Sequence, residues 1–261
     1  MTEIGRLEIA LRSARARGSK LLVPYVTGGV ADDWTRVISA MSAAGADAIE
    51  IGIPFSDPVM DGPTIQEASA RSLARGTTPE GIFNELSHLE TSVPLIGMTY
   101  YNLVFRAGHT RFAQNLAAGG ICAAVIPDLP LEESGEWEAS SAGAAVETVL
   151  LAAPVTPDER LVRIADRARG FIYAVGLMGV TGARGTLASS AAVLAKRLKQ
   201  ITDKPVLIGF GISTPDQARE ACEVADGVIV ASALMRRYLD GDAPDVIGDR
   251  VAELREALDR G

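Results

Sequence analysis

The sequence predicts an α/β protein, a single-domain (β/α)8 barrel (TIM barrel) over residues 1–261, on three observations. Short apolar runs rich in Val, Ile and Ala recur eight times, separated by stretches with helical periodicity. These runs are nearly continuous in apolarity, as parallel strands covered on both faces are, and lack the strict alternation of a sheet with one wet face. Eight strand–helix alternations in 261 residues match one closed barrel, with extra short helices. A doubly wound open sheet is the structural alternative, but it usually has fewer strands.

The strands are expected at about 21–26, 47–53, 94–100 and 123–129, then at about 147–153, 170–176, 205–210 and 227–232. Between them, Trp34, Val37, Ile38 and Met41 fall at i, i+3, i+4 and i+7, as do Leu161, Ile164, Ala165 and Ala168. Ile247, Val251, Leu254 and Leu258 mark a helical face near the C-terminus. Thr78-Pro79 and Thr214-Pro215 each place a capping hydroxyl before a first-turn proline, and Gln217 completes a possible capping box. No linker or low-complexity segment divides the chain.

Composition excludes several kinds of function. With 25 Lys and Arg against 33 Asp and Glu the formal net charge is −8, and no basic run points to nucleic acid or anionic membrane. No stretch reaches the ~18 apolar residues of a membrane span, and the first residues do not resemble a secretory segment, so a cytoplasmic protein is expected. Cys122 and Cys222 are too few for a disulfide framework and read as small buried hydrophobes. Two histidines, His88 and His109, cannot build a multi-histidine metal centre, and both are expected at the surface, His109 in a loop. Of the four lysines, Lys20 and Lys204 precede strands while Lys196 and Lys199 fall in a helical stretch. A barrel works at the C-terminal ends of its strands, so no lysine bordering a strand is placed for Schiff-base chemistry.

Carboxylates are what remain. Glu50 interrupts strand 2, where period two puts it on a face with Ala48 and Gly52 and leaves Ile49, Ile51 and Ile53 on the other. The isoleucines suit the outer helices, so Glu50 points into the barrel. There desolvation raises its pKa and fits it for general acid–base catalysis; a structural Glu paired with an arginine is the bland alternative. The loop that follows, 54–63, is dense in Pro, Gly and Asp, and carries Asp61 over the same mouth. As a bland reading, Asp61 forms a turn.

Gly209-Phe210-Gly211-Ile212-Ser213 leaves strand 7, Val230-Ala231-Ser232-Ala233 leaves strand 8, and Gly179-Val180-Thr181-Gly182 follows strand 6. Loops after strands 7 and 8 with a short helix N-terminus are the usual phosphate site of this barrel, held by backbone N–H groups and the helix dipole. Gly209-x-Gly211 lacks the third glycine and the early placement of a dinucleotide fingerprint, which argues against NAD. Tyr100 and Tyr173 lie near strand ends, where they line a pocket or pack the core.

The run from Ala46 to Pro58 followed by Asp61-Gly62-Pro63-Thr64-Ile65-Gln66 closely resembles the signature of the tryptophan synthase α-subunit family. Pro127 to Ser134, Met178 to Gly182 and Gly209 to Ser213 resemble its other motifs, in order, from about residue 21 to 240. The resemblance implies retro-aldol cleavage of indole-3-glycerol phosphate to indole and D-glyceraldehyde 3-phosphate. By it, Glu50 is the general acid–base and Asp61 holds the indole N–H. Tyr173 and Tyr100 match aromatic positions of the site. Gly182, Gly211, Ala231 and Ser232 match phosphate-binding positions, with Thr181 and Phe210 as further substrate contacts in the same loops. No cofactor is implied in this chain. The family's partner, a β-subunit in an α2β2 assembly, carries pyridoxal phosphate and condenses the indole with serine. Active-site loops after strands 2 and 6, at 54–62 and about 177–189, resemble those that order on substrate binding.

Three departures from the family pattern stand out. Ala231 replaces a usual glycine, which matters if its φ is positive. Thr27-Gly28-Gly29-Val30 replaces the commoner Thr-x-Gly-Asp-Pro, and Leu177 stands at an often polar position. Alternatives to the synthase reading are a stand-alone lyase releasing free indole, a weakly catalytic regulatory partner of a β-subunit, and another phosphate-binding barrel isomerase. Intact Glu50 and Asp61 argue against the regulatory reading, and the strand 2 signature against the isomerase.

Overall fold

The computed structural model describes residues 4–176, 184–209 and 211–260, with 184–189 by backbone only. In chain order the elements are α1 (Arg6–Ala16), β1 (Leu21–Thr27), α2 (Trp34–Ala43), β2 (Ile49–Gly52), α3 (Pro63–Ala74) and α4 (Pro79–Ser87). Next come β3 (Leu95–Met98), α5 (Tyr101–Ala107), α6 (His109–Ala118), β4 (Ile121–Val125), α7 (Gly135–Gly143), β5 (Glu147–Ala152) and α8 (Asp158–Arg167). The chain ends with β6 (Ile172–Ala174), α9 (Arg184–Ile201), β7 (Val206–Ile208), α10 (Pro215–Cys222), β8 (Gly227–Val230), α11 (Ser232–Leu239) and α12 (Pro244–Asp259). The eight strands close into one parallel barrel in sequence order, β8 pairing back onto β1.

Period two sorts the strand residues as the sequence predicts. Leu21, Val23, Ala48, Ile96, Val149, Phe171, Leu207 and Ile229 fill the barrel interior. Ile49, Ile51 and Ile53 join the outer core with Val37, Ile38 and Met41 of α2. The predicted faces of α8 and α12 are buried there too. Thr78 accepts a hydrogen bond from the Gly81 N–H, and Thr214 and Gln217 complete their capping box.

Several strand limits differ from expectation. β2 starts at Ile49, because the Asp47 carboxylate turns aside to accept from the Leu22 N–H and to pair with Arg255. β4 lies earlier than predicted, leaving Pro127 and Asp128 in a loop, where Asp128 accepts from the Tyr101 N–H and caps α5. β6 and β7 are three residues each.

The sequence reading left α1 out. Its Leu7 and Leu11 are fully buried against the interior layer and plug the N-terminal end of the barrel. With glycine at its N-cap the helix has no local side-chain cap. Instead the Glu147 carboxylate of β5 accepts from the Leu7 N–H at 2.6 Å and the Glu8 N–H at 3.1 Å, satisfying two of the first turn's free donors from 140 residues away. The lysines are occupied near this end: Lys20 donates to the carbonyls of Cys222 and Ala225, Lys204 to those of Ala165 and Ala168, and Lys199 pairs with Asp226.

Candidate active site

β2 carries Glu50 inward to a place 3% exposed, and its Oε2 has no hydrogen-bond partner. Among the described residues no arginine pairs with Glu50, as a structural glutamate would need, so the bland reading fails. Burial first, and the nearby charge of Asp61 second, push the Glu50 carboxyl from its ordinary 4.5 up to about 8. At pH 7 Glu50 holds its proton.

Asp61 sits where the loop after β2 enters α3. Its N–H donates to the Pro58 carbonyl, and its own carbonyl accepts from the Gln66 side chain, which fixes the turn. Burial raises its pKa to about 6, opposed by a hydrogen bond donated from the Tyr100 hydroxyl. Asp61 is therefore mostly ionised at pH 7 while Glu50 is not. Unequal acidities of this kind let two carboxyls divide acid and base work.

Tyr100, buried at the N-cap of α5, ties the loop to the barrel. Its hydroxyl accepts from the Met60 N–H at 3.0 Å, and Phe55 stacks on its ring with centroids 5.2 Å apart. Tyr173 points inward from β6, toward Gly209 at the end of β7. A Cβ at Gly209 would fall on Cε1, Cζ and Oη of Tyr173, so the ring occupies room that only glycine leaves. Burial and the charges of Glu50 and Asp61 all raise the Tyr173 pKa.

The loops in which the sequence places an anion site follow β7 and β8. Gly211 has φ +76°, a conformation suited to glycine. α10 uses its first turn on itself: Gln217 accepts from the Ser213 and Thr214 N–H groups, and Thr214 from that of Gln217. α11 has no side-chain cap, so its first-turn N–H groups, beginning at Ser232, face outward with the positive end of the helix dipole. Of the two helices, α11 is the one whose first turn no side chain caps. Its N-cap, Ala231, has φ −110°, so its methyl causes no backbone strain. Thr181, Gly182 and Phe210 lie outside the described residues, as does the Met178–Gly182 motif.

Other expectations sort simply. Cys122 and Cys222 are buried free thiols, each raised by burial to about 11. His88 is exposed at the end of α4. His109 is not in a loop: it starts α6, partly covered, with its ring stacked on Tyr101 and hydrogen-bonded to the Tyr101 hydroxyl at 3.0 Å. Among the described residues no group of His, Cys, Asp and Glu could hold a metal ion.

Sequence reasoning missed Tyr25. On β1 it pairs in register with Glu50, is 2% exposed, and feels the charges of both Asp61 and Glu50. The signal was available, because Tyr25 shares the inward period-two face of Leu21 and Val23.

The family model described as tryptophan synthase alpha chain matches residues 11–257. A tryptophan synthase alpha chain from a Picosynechococcus species is 45% identical over 252 residues, covering 95% of each chain. That of Halorhodospira halophila is 40% identical over 265 residues, covering 98% of this chain and 97% of its own. Among solved structures, a chain of Mycobacterium tuberculosis tryptophan synthase superposes with a TM-score of 0.90 at 35% identity, covering 98% of this chain and 99% of that one. The chain belongs to the tryptophan synthase alpha chain family.

Proposed function

We propose that Glu50 and Asp61 carry out the carbon–carbon lyase reaction of this family, cleaving indole-3-glycerol phosphate to indole and D-glyceraldehyde 3-phosphate. One observation supports the assignment above others: a buried carboxyl with a free oxygen, protonated at neutral pH, beside a second carboxyl that is ionised. Glu50 gives its proton to indole C3, and positive charge develops on the ring nitrogen. Asp61 accepts a hydrogen bond from the ring N–H and stabilises that charge. The Glu50 carboxylate then removes the proton of the side-chain hydroxyl, the aldehyde forms, and the C–C bond breaks with its electron pair returning to the ring. Glu50 ends with the proton it began with. The indole ring is the electron sink, in keeping with a mouth that no strand-bordering lysine reaches.

The substrate phosphate is assigned to the N–H groups at Gly211 and at the start of α11, Ala231 and Ser232, together with Thr181 and Gly182. Tyr100, Tyr173 and Phe210 are assigned to the indole and glycerol parts.

The proposal includes a pyridoxal-phosphate-bearing β-subunit in an α2β2 assembly. Its support is apolar exposure around the mouth: Val59 and Met60 after β2, Phe105 on α5 after β3, and Val155 after β5. Val59 and Val155 are each 72% exposed. The proposal places this work in the cytoplasm, a reducing setting in which Cys122 and Cys222 stay free. No helix among the described residues is long and apolar enough to cross a membrane.

The test is indole release from indole-3-glycerol phosphate by the purified chain, with and without a β-subunit, alongside Glu50→Gln. Slow release alone, strong stimulation by the partner and loss in the variant support the proposal. Fast release without stimulation indicates a stand-alone lyase, and release that survives Glu50→Gln removes Glu50 from the chemistry.

A further inference from the structure

Tyr25 lies on β1 directly opposite Glu50 in the parallel register, and both side chains enter the barrel interior. A Cβ added at Gly52 would fall on the Tyr25 hydroxyl and on Cζ. Gly52 is two residues beyond Glu50 on the same face of β2. The phenol therefore crosses strand 2 from the level of Glu50 toward the mouth, and its hydroxyl rests over the bare backbone of Gly52, in the fields of both the Asp61 and Glu50 carboxyls.

The hydroxyl of Thr27, fully buried, lies 3.1 Å from that of Tyr25. Among the described residues this is the only side-chain partner of Thr27, and its single proton needs an acceptor in a dry interior. Either hydroxyl of the pair can donate, and Tyr25 Oη is placed to accept the Thr27 proton. Thr27 donating leaves the Tyr25 proton free to turn toward the carboxyls. The titratable groups facing the phenol are Glu50 from β2, Asp61 from the loop after it, and Tyr100 after β3, with Tyr173 entering from β6. Neither tyrosine is a base at working pH, so the acceptors open to Tyr25 are the two carboxyls. Asp61 already accepts from Tyr100, whereas Glu50 Oε2 has no partner.

We infer that Tyr25 is a positioning residue, relaying a hydrogen bond from Thr27 to the carboxylate that Glu50 becomes when it donates its proton. The inference rests on the lyase reading and deepens it. A neutral carboxyl gains little from such a donor and an anion gains much, so the Tyr25 hydroxyl turns to Glu50 and the bond forms as the proton leaves.

The test reads the Glu50 midpoint directly, by side-chain 13C NMR titration of the full chain, in wild type, Tyr25→Phe and Thr27→Val, together with the kinetics of indole release. Losing one donor to a charged group moves the midpoint up by about one pH unit and lowers kcat about tenfold with little change in KM. Thr27→Val moves the midpoint the same way by less. An unmoved midpoint in Tyr25→Phe overturns the relay, as does a loss carried by KM alone. Should Tyr25→Phe fail to fold, an unmoved midpoint in Thr27→Val overturns it equally. The titration needs no turnover, so a wild type that releases no indole refutes the lyase reading and leaves the test of the relay intact.

Discussion

Asp61→Asn separates the two causes that raise the pKa of Glu50. In the native site the free-enzyme profile of kcat/KM for indole release should be a bell, with an acid limb near pH 6 from Asp61 and an alkaline limb near pH 8 from Glu50. Asparagine keeps the shape and still accepts from Tyr100, but it removes a negative charge. A like charge disfavours a second carboxylate, so its removal makes Glu50 more acidic and the alkaline limb moves down. Burial is the larger cause, so more than half of the rise from 4.5 to about 8 persists, and the limb settles between about pH 6.3 and 8. The acid limb disappears, and the plateau falls by ~10²–10³-fold because the developing positive charge on indole has lost its counter-charge. Stopped-time indole assays from pH 5 to 10 measure all three. An alkaline limb that stays put or moves up refutes the coupling, one near 4.5 refutes the burial argument, and an acid limb persisting near 6 shows that another group titrates there.

Further outcomes follow from the same geometry. Glu50→Gln abolishes indole release yet stabilises the fold at alkaline pH. The folded carboxyl titrates near 8 against 4.5 when unfolded, so wild type loses stability progressively between those values; urea unfolding should show the variant ahead by on the order of 4 kcal/mol at pH 9 and level at pH 4. Gly209→Ala drives the Tyr173 ring from its place, since the new Cβ comes well inside 3.0 Å of it; a displacement of about 1 Å at the site lowers kcat/KM by ~10²-fold, and unchanged kinetics would show that the ring position does not matter. Ala231→Gly leaves the KM for substrate within about twofold, because φ is already negative there; a large gain in affinity would mean that the methyl obstructs the phosphate. Glu147→Ala removes the remote cap of α1 and costs about 1–3 kcal/mol in thermal or urea unfolding with kcat unchanged.

What was legible in the sequence depended on whether the cause was local. The inward aim of Glu50 follows from period two and three isoleucines, and the structure places those isoleucines among the outer helices. The caps at Thr78 and Thr214 are likewise short-range chemistry. α1 escaped because its cap is a glutamate 140 residues away and its partner surface, the bottom of the barrel, exists only once eight strands have closed. His109 escaped for a related reason: its helical start follows Gly108 at φ +84°, and its cover comes from a ring eight residues earlier across a turn. The strand 4 limits slipped because Ile126 continues an apolar run that the ladder has already left. Ala231 could be recognised as a departure, but its harmlessness depends on a backbone angle that composition does not encode.

The division of labour between the two carboxyls is itself a consequence of where the chain puts them. Glu50 sits in a strand, where neighbours on both sides shut out water, and so it keeps its proton. Asp61 sits in a loop, reached by solvent from the mouth and by the Tyr100 hydroxyl, and so it gives its proton up. Exchanging the residue types would not exchange the roles, because strand and loop, rather than glutamate and aspartate, set the acidities. The interior must then be cleared for substrate without breaking the barrel's packing. Gly52 and Gly209 do this by leaving room that the Tyr25 and Tyr173 rings occupy. Tyrosine at both places brings a hydroxyl, along with apolar ring surface, into a layer filled lower down by Leu, Val and Ile. A double replacement, Tyr25→Phe with Tyr173→Phe, keeps both rings and removes both hydroxyls, so it should preserve the melting temperature within a few degrees while moving the alkaline limb upward. If the limb stays near 8 and only stability falls, the hydroxyls serve packing, and the acidity of Glu50 is set by burial and Asp61 alone.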